Sequence, residues 1–218
     1  MSSSSPADLR AWRRERFQLR RFGPLALVLA LAASAGAGRP RMERLGRDAL
    51  LALLLLLQFR LWDDLADLPR DRVDHPARVL CRAATHGRFR AAMVGAAGAS
   101  TLLLARPSGH RQPPSPAGLL GLAALNAGLF AWYAGPGRRH SGTALGAHVV
   151  LLKYPAFAAL LRGSDRPAGA AFALACAGVY LALCAHERLG DKRLRGPRWP
   201  FTGEAAAALS PALARRRP

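Results

Sequence analysis

Apolar residues along this chain gather in long Leu/Ala/Gly/Val blocks, and nearly all the arginines lie between them. A helix needs about 20 apolar residues (roughly 17 to 25) to cross about 30 Å of hydrocarbon. Six blocks meet or approach that length, at 22–38, 49–62, 91–105, 117–133, 144–161 and 168–185. The pattern predicts an all-α, polytopic membrane helix bundle of about six transmembrane helices. The second block, ALLALLLLLQFRLW, is expected to continue into the acidic residues beyond it, and the third is short and rich in Gly and Ala. EAAAALSPALA from Glu204 is too short and polar to cross. Three zones follow: a basic segment over 1–21, a transmembrane region over 22–186 with an acidic loop at 63–90, and a basic tail over 187–218. The first 21 residues are polar for too long to be a cleaved signal peptide, so the first block is expected to be retained as a helix.

Composition alone does not decide the class, since hydrophobic residues make up 51% of the chain while mean hydropathy is only +0.07. The net charge of +19 would point to nucleic acid in a soluble protein. Here no basic patch with interleaved aromatics accompanies it, and arginines flanking apolar blocks are the usual means of orienting membrane helices. With the N-terminus inside, the inner segments hold 22 Lys/Arg and the outer segments 8. By the positive-inside rule both termini are expected in the cytoplasm, in a protein integral to the cell membrane. The basic tail is placed to touch anionic lipid. Three cysteines make no disulfide framework, and Cys81 has no CxxC or nearby His/Cys set for zinc. Gly95, Ala96, Gly98, Ala99, Gly118, Gly121 and Gly128 permit close helix packing in lipid.

The most informative segment is FRLWDDLADLPRDRVDHPARVLCRAATHGRFR, from Phe59 to Arg90. Asp63, Asp67 and Asp71 recur every four residues, so a continuous helix places them on one face. Their mutual repulsion can be relieved by a divalent cation, and magnesium, which takes one or two carboxylates with waters and substrate phosphates, suits such a site. Arginines can relieve it too. On that second reading Asp63, Asp64, Asp67, Asp71 and Asp74 form a solvated helix end paired with Arg60, Arg70, Arg72 and Arg78. Acidic residues at a membrane boundary lean toward function. Pro69, which lacks an N–H, tends to end or kink the helix near Leu68 and to take Asp71 off the shared face.

In these residues the chain resembles the UbiA-type intramembrane prenyltransferases. Asp63-x3-Asp67-x3-Asp71 is similar to that family's first signature at the cytoplasmic end of its second helix, and HPARVLCRA resembles the arginine-containing turn that follows. A second acidic signature closes the family's sixth helix, where this chain has Glu187-x3-Asp191; HERLGDKR is also a common interfacial anchor. The resemblance implies a UbiA-like arrangement, truncated after helix six where family members usually have nine. It implies that Asp63, Asp67, Asp71, Glu187 and Asp191 hold Mg2+, and that Arg78 and Arg82 meet an isoprenoid diphosphate. The chemistry implied is transfer of an isoprenoid group to an acceptor. A homo- or hetero-oligomeric partner could supply the missing wall.

Lys153 is the one lysine inside a predicted span. A charge there costs at least about 2.5–3.5 kcal/mol on insertion scales, so it is expected to face the bundle interior or an interface. It could contact a diphosphate or lipid headgroup, or snorkel to a carboxylate. His148 and Asn126 read as interhelical hydrogen-bonding residues. The chain has no GxSxG, HExxH or P-loop. A catalytically inactive membrane scaffold, or an accessory subunit of a lipid-modifying or transport system, is the alternative function.

Overall fold

The computed structural model describes residues 6–37, 41–106, 116–135, 144–163 and 168–190, with side chains left out at 144–147 and 187–190. The described residues are all-α, without strands. Two compact units are present: unit 1 comprises Met1–Leu27 with Met42–Leu119, and unit 2 comprises Val28–Arg41 with Leu120–Pro218.

The N-terminal basic segment holds a helix that the apolar pattern did not predict, α1 (Pro6–Arg16). It forms because Trp12 has a buried place to go, 1% exposed, while Arg10, Arg13 and Arg14 are exposed. Next come α2 (Leu19–Ser34), with Pro24 inside, and α3 (Met42–Ala66). At 25 residues, α3 is about 37 Å long and starts a full two turns before the apolar block. Arg44 and Asp48 form an ion pair one turn apart, 3.9 Å, so the polar stretch extends the helix. Two short helices follow, α4 (Leu68–Asp74) and α5 (Val79–Arg82), then α6 (Gly87–Ala105).

Within unit 1, α3 packs along α6. Leu51, Leu55, Leu56 and Phe59 are buried on α3, and Phe89, Ala96 and Ser100 on α6. The small Ala96 and Ser100 let the helices approach, and the Ser100 hydroxyl satisfies itself by donating to the Ala96 carbonyl, 2.9 Å. Arg47 of α3 donates to the carbonyls of Leu103 and Arg106 at 2.7 and 3.2 Å, closing the C-terminal turn of α6.

Within unit 2 lie most of α7 (Pro116–Ala134), α8 (Ala144–Leu151), α9 (Lys153–Arg162) and α10 (Ala170–Gly190). The expected single span over 144–161 is two helices. They part at Leu152, because Pro155 cannot supply the N–H that would bond the Leu151 carbonyl. Gly163 ends α9 with φ +72°, a left-handed conformation that glycine adopts without strain. Gly36 does the same after α2, with φ +76°. Gly121 brings α7 against α9: a Cβ there would stand 2.9 Å from Leu160 Cδ2.

One helix among the described residues, Pro116–Ala134, is long and apolar enough to cross a membrane by length and composition. The stretch Ala170–His186 is apolar but shorter.

Candidate functional site

The acidic end of α3 is built by the backbone first. The helix does end near Leu68, as Pro69 dictates: α3 stops at Ala66 and α4 starts at Leu68. Yet Pro69 falls in the first turn of α4, where its missing N–H has no intrahelical acceptor to lose. The hydrogen bonds therefore run through the junction. Asp67 N donates to Asp63 O and Asp71 N to Asp67 O, both at 2.9 Å, and His75 N donates to Asp71 O at 2.7 Å. Asp67 itself is helical at φ −81°, ψ −5°. The three aspartates keep helical phase, contrary to the expectation that Pro69 would remove Asp71.

Their environments differ. The Asp71 carboxylate is buried and ion-paired with the Arg78 guanidinium, so the predicted metal ligand and the predicted phosphate ligand meet each other. Asp67 is half-buried. Burial pushes its carboxyl above the usual carboxylate range, the charges of Asp63 and Asp71 push it further, and Arg70 partly offsets them. Arg82 is exposed on α5. Burial and the charge of Asp71 also push the Cys81 thiol up, which keeps it protonated.

Asp64, one residue beyond the spacing-four set, is the best-held acid of the segment. It is 5% exposed and accepts from Trp12 Nε1 at 2.9 Å. Arg16 donates to it from Nε at 3.3 Å and from Nη2 at 3.0 Å. Arg60, one turn back, pairs with Asp64 at 3.2 Å. Glu15 accepts from the Val79 N–H at 3.0 Å, so α1 also holds the start of α5. Trp12, Arg16 and Glu15 were missed because their partners lie 48 to 64 residues away. The signal available was a single Trp in a run of arginines, followed by Phe17, on which it stacks at 6.4 Å.

Of the pairings expected for a solvated acidic end, Arg60–Asp64, Arg78–Asp71 and Arg70–Asp74 (3.2 Å) are present. Among the described residues no group of three or more His, Cys, Asp or Glu is placed to hold a metal ion. Asp71 is committed to Arg78; Asp63 and Asp67 are the other two carboxylates of the spacing-four set. Two carboxylates fit magnesium, which completes its shell with water and phosphate oxygens. The Glu187 side chain and Asp191 lie outside the described residues.

Lys153 opens α9 in unit 2. It is buried, 4% exposed, with Nζ 5.6 Å from the centre of the Tyr154 ring. His148 Nδ1 is hydrogen-bonded to the Tyr180 hydroxyl, joining α8 to α10, and Asn126 donates to Leu122 O of its own helix at 2.8 Å. Arg162, which sequence reasoning placed in an outer loop, is 4% exposed. It donates to Ala33 O and Ala35 O at 3.0 and 2.9 Å and lies 4.6 Å from the centre of the Phe172 ring.

Comparison with known proteins adds no relative: no protein-family model, curated protein or solved structure matches this chain.

Proposed function

We propose that this chain is a polytopic membrane helix bundle of the UbiA type, with both ends in the cytoplasm. In this reading it binds an isoprenoid diphosphate with magnesium at the acidic end of α3 and transfers the isoprenoid group. The bilayer setting is supported by α7, of whose most apolar stretch only 11% is buried. A core helix of a soluble protein would hide that surface. Exposed Leu27, Val28 and Leu31 on α2, Val94 and Leu102 on α6, Phe130 on α7 and Leu174 on α10 point the same way.

The observation that carries the site is the pair of backbone bonds across the junction, Asp67 N to Asp63 O and Asp71 N to Asp67 O, that phases Asp63, Asp67 and Asp71. The Asp67 carboxylate is disfavoured in its ionised form by burial first and by the phased charges of Asp63 and Asp71 second, a debt that a divalent cation relieves. When bound, magnesium would neutralise charge building on the departing diphosphate. Asp63 and Asp67 would hold it. Asp71 orients Arg78, whose planar fork offers N–H donors to phosphate oxygens beyond those turned to Asp71. Arg82 supplies a second, exposed guanidinium.

The test is binding and turnover of farnesyl diphosphate by the full chain in lipid nanodiscs, with and without magnesium. Binding is expected to require magnesium and to fall at least about tenfold in Asp67→Asn and in Arg78→Gln, one lost charge-assisted contact being worth about 1.5–3 kcal/mol. Magnesium-independent binding, or an Asp67→Asn protein that binds as the parent does, would defeat this reading. That result would leave the scaffold or accessory subunit, which the structural pairing of Asp64, Asp71 and Asp74 favours.

A further inference from the structure

We propose that α1 and the start of α2 form a docking surface for anionic lipid headgroups, on which Arg10, Arg13, Arg14, Arg20 and Arg21 rest against the phosphates of a charged leaflet. All five side chains are exposed. On α1 the division of faces is set by helical phase. Trp12 is buried, and Arg10 and Arg14, two residues to either side, stand about 160° round the helix from it. The Trp12 side of α1 is tied down within unit 1. Its indole donates to Asp64 at 2.9 Å, Arg16 Nη2 donates to Asp64 at 3.0 Å, and Glu15 accepts from the Val79 N–H at 3.0 Å. Turning the outer arginines inward would break these bonds.

The corner between the two helices holds both sets of arginines together. The rings of Trp12, Phe17 and Phe22 stack in series, with 6.4 and 4.4 Å between centres. Gln18 spans the junction, donating from Nε2 to Arg14 O at 3.0 Å and accepting from Arg20 Nε at 3.0 Å. In the bilayer setting proposed above, on which this inference rests, Arg20 and Arg21 in the first turn of α2 lie at headgroup depth. Gln18 brings the end of α1 to the same level. Arg10 is one turn from Arg14, so whatever the tilt of α1 its backbone rises at most about 6 Å further. That is inside the roughly 8 Å screening length of physiological salt.

Several basic residues gathered beside a membrane helix are the arrangement that attracts anionic headgroups, and the planar guanidinium fork binds phosphate oxygens in pairs. A single-stranded nucleic acid would ask for exposed aromatic faces among the charges. Here Trp12 and Phe17 are 1% and 5% exposed.

The test is arginine footprinting of the full chain with phenylglyoxal, an uncharged reagent, read by peptide mass spectrometry. The protein is held in nanodiscs of phosphatidylcholine alone or of phosphatidylcholine with phosphatidylglycerol. Arg10, Arg13 and Arg14 are expected to react at least fivefold more slowly in the anionic discs. They should recover in about 1 M salt, where the screening length falls to about 3 Å. A smaller slowing is within reach of the diffuse surface potential alone, about threefold, and overturns the proposal, as equal rates do. A variant carrying both Arg10→Gln and Arg13→Gln is expected to speed Arg14 at least twofold in anionic discs, because the surface holds lipid through several charges at once. An unchanged Arg14 would mean that no shared surface exists. Equal protection in neutral discs by inorganic phosphate would make this a free-anion site, and stronger protection by an oligonucleotide or polyglutamate would make it a site for a soluble acidic partner; either overturns the proposal. The footprint needs neither magnesium nor diphosphate, so it stands or fails apart from prenyl transfer. Release of the chain from vesicles by alkaline carbonate would defeat the bilayer setting and this docking surface with it, whereas a retained chain with unchanged rates defeats the docking surface alone.

Discussion

In unit 1 the buried Asp64 carboxylate is met by the Trp12 indole and by the guanidinium groups of Arg16 and Arg60. In unit 2 the buried Arg162 guanidinium is met by the carbonyls of Ala33 and Ala35 and by the face of Phe172. In the contacts of the described residues these two buried charges are thus met by different groups, in keeping with the supply of acids. Nine of the 13 acidic residues belong to unit 1 and four to unit 2. Where carboxylates are plentiful, arginines pair with them and tie α1 to the end of α3. Where they are scarce, a guanidinium uses the carbonyls at a helix C-terminus, which carry partial negative charge from the helix dipole. Arg47 at the end of α6 shows that unit 1 uses this second means as well.

The largest effect that would test this contrast is Asp64→Ala. It leaves two guanidinium groups and an indole N–H without their shared acceptor, and about 3–5 kcal/mol of stability is expected to go. Unfolding in one fixed detergent measures it, and a loss below about 1 kcal/mol would mean that α1 is not held by this carboxylate. Arg162→Met comes next, at about 2 kcal/mol, through carbonyls left without a donor. Raising the ionic strength is expected to narrow the Asp64→Ala deficit, because the Arg16 and Arg60 side chains are 24% and 29% exposed. It should leave the Arg162→Met deficit nearly unchanged; equal salt sensitivity would erase the distinction.

Asp67→Asn is smaller and of opposite sign in the absence of magnesium, a gain of a few tenths of a kcal/mol from removing like-charge repulsion. Its pH dependence follows from the raised carboxyl. The folded protein holds the Asp67 proton more tightly than the unfolded chain. This group's contribution therefore favours folding in acid and is lost as pH rises from about 4, the ordinary aspartate value, through the raised folded value. Asp67→Asn should flatten the stability profile in that window alone, and an unchanged profile would place the carboxyl outside its neighbours' field. Asp74→Asn is the smallest. Arg70 and Asp74 are 42% and 32% exposed, and a pair so open to solvent should change stability by less than about 0.5 kcal/mol.

Much of the helical layout was legible because hydrophobic blocks mark the parts of helices that must avoid water. The expected span over 117–133 and the helix Pro116–Ala134 differ by one residue at each end. Polar helix was not legible in the same way. Met42–Asp48 continues α3 through an i,i+4 ion pair, and Pro6–Arg16 is helical around one buried Trp, so neither carries an apolar block of its own. The fifth block hid its division, since Leu152 is apolar like its neighbours and the N–H that Pro155 lacks is missed by a carbonyl four residues back. At the acidic end, spacing located Asp63, Asp67 and Asp71 correctly as helical neighbours. It could not rank them against Asp64, whose burial depends on α1.

By itself the sequence determined that the chain is helical, where its apolar helices lie, and that the carboxylates gather after the second of them. These are local properties: periodicity, propensity and the spacing of charges within a turn or two. Only the tertiary structure decided which carboxylates are buried and taken up by arginines from 4 to 48 residues away. The physical reason is that burial and pairing are set by what packs alongside a residue, and the packing neighbour is often far off in the chain. Asp63 and Asp64 are adjacent and chemically identical, yet Asp64 is met by Trp12 and Arg16 from a distant helix as well as by Arg60 one turn back.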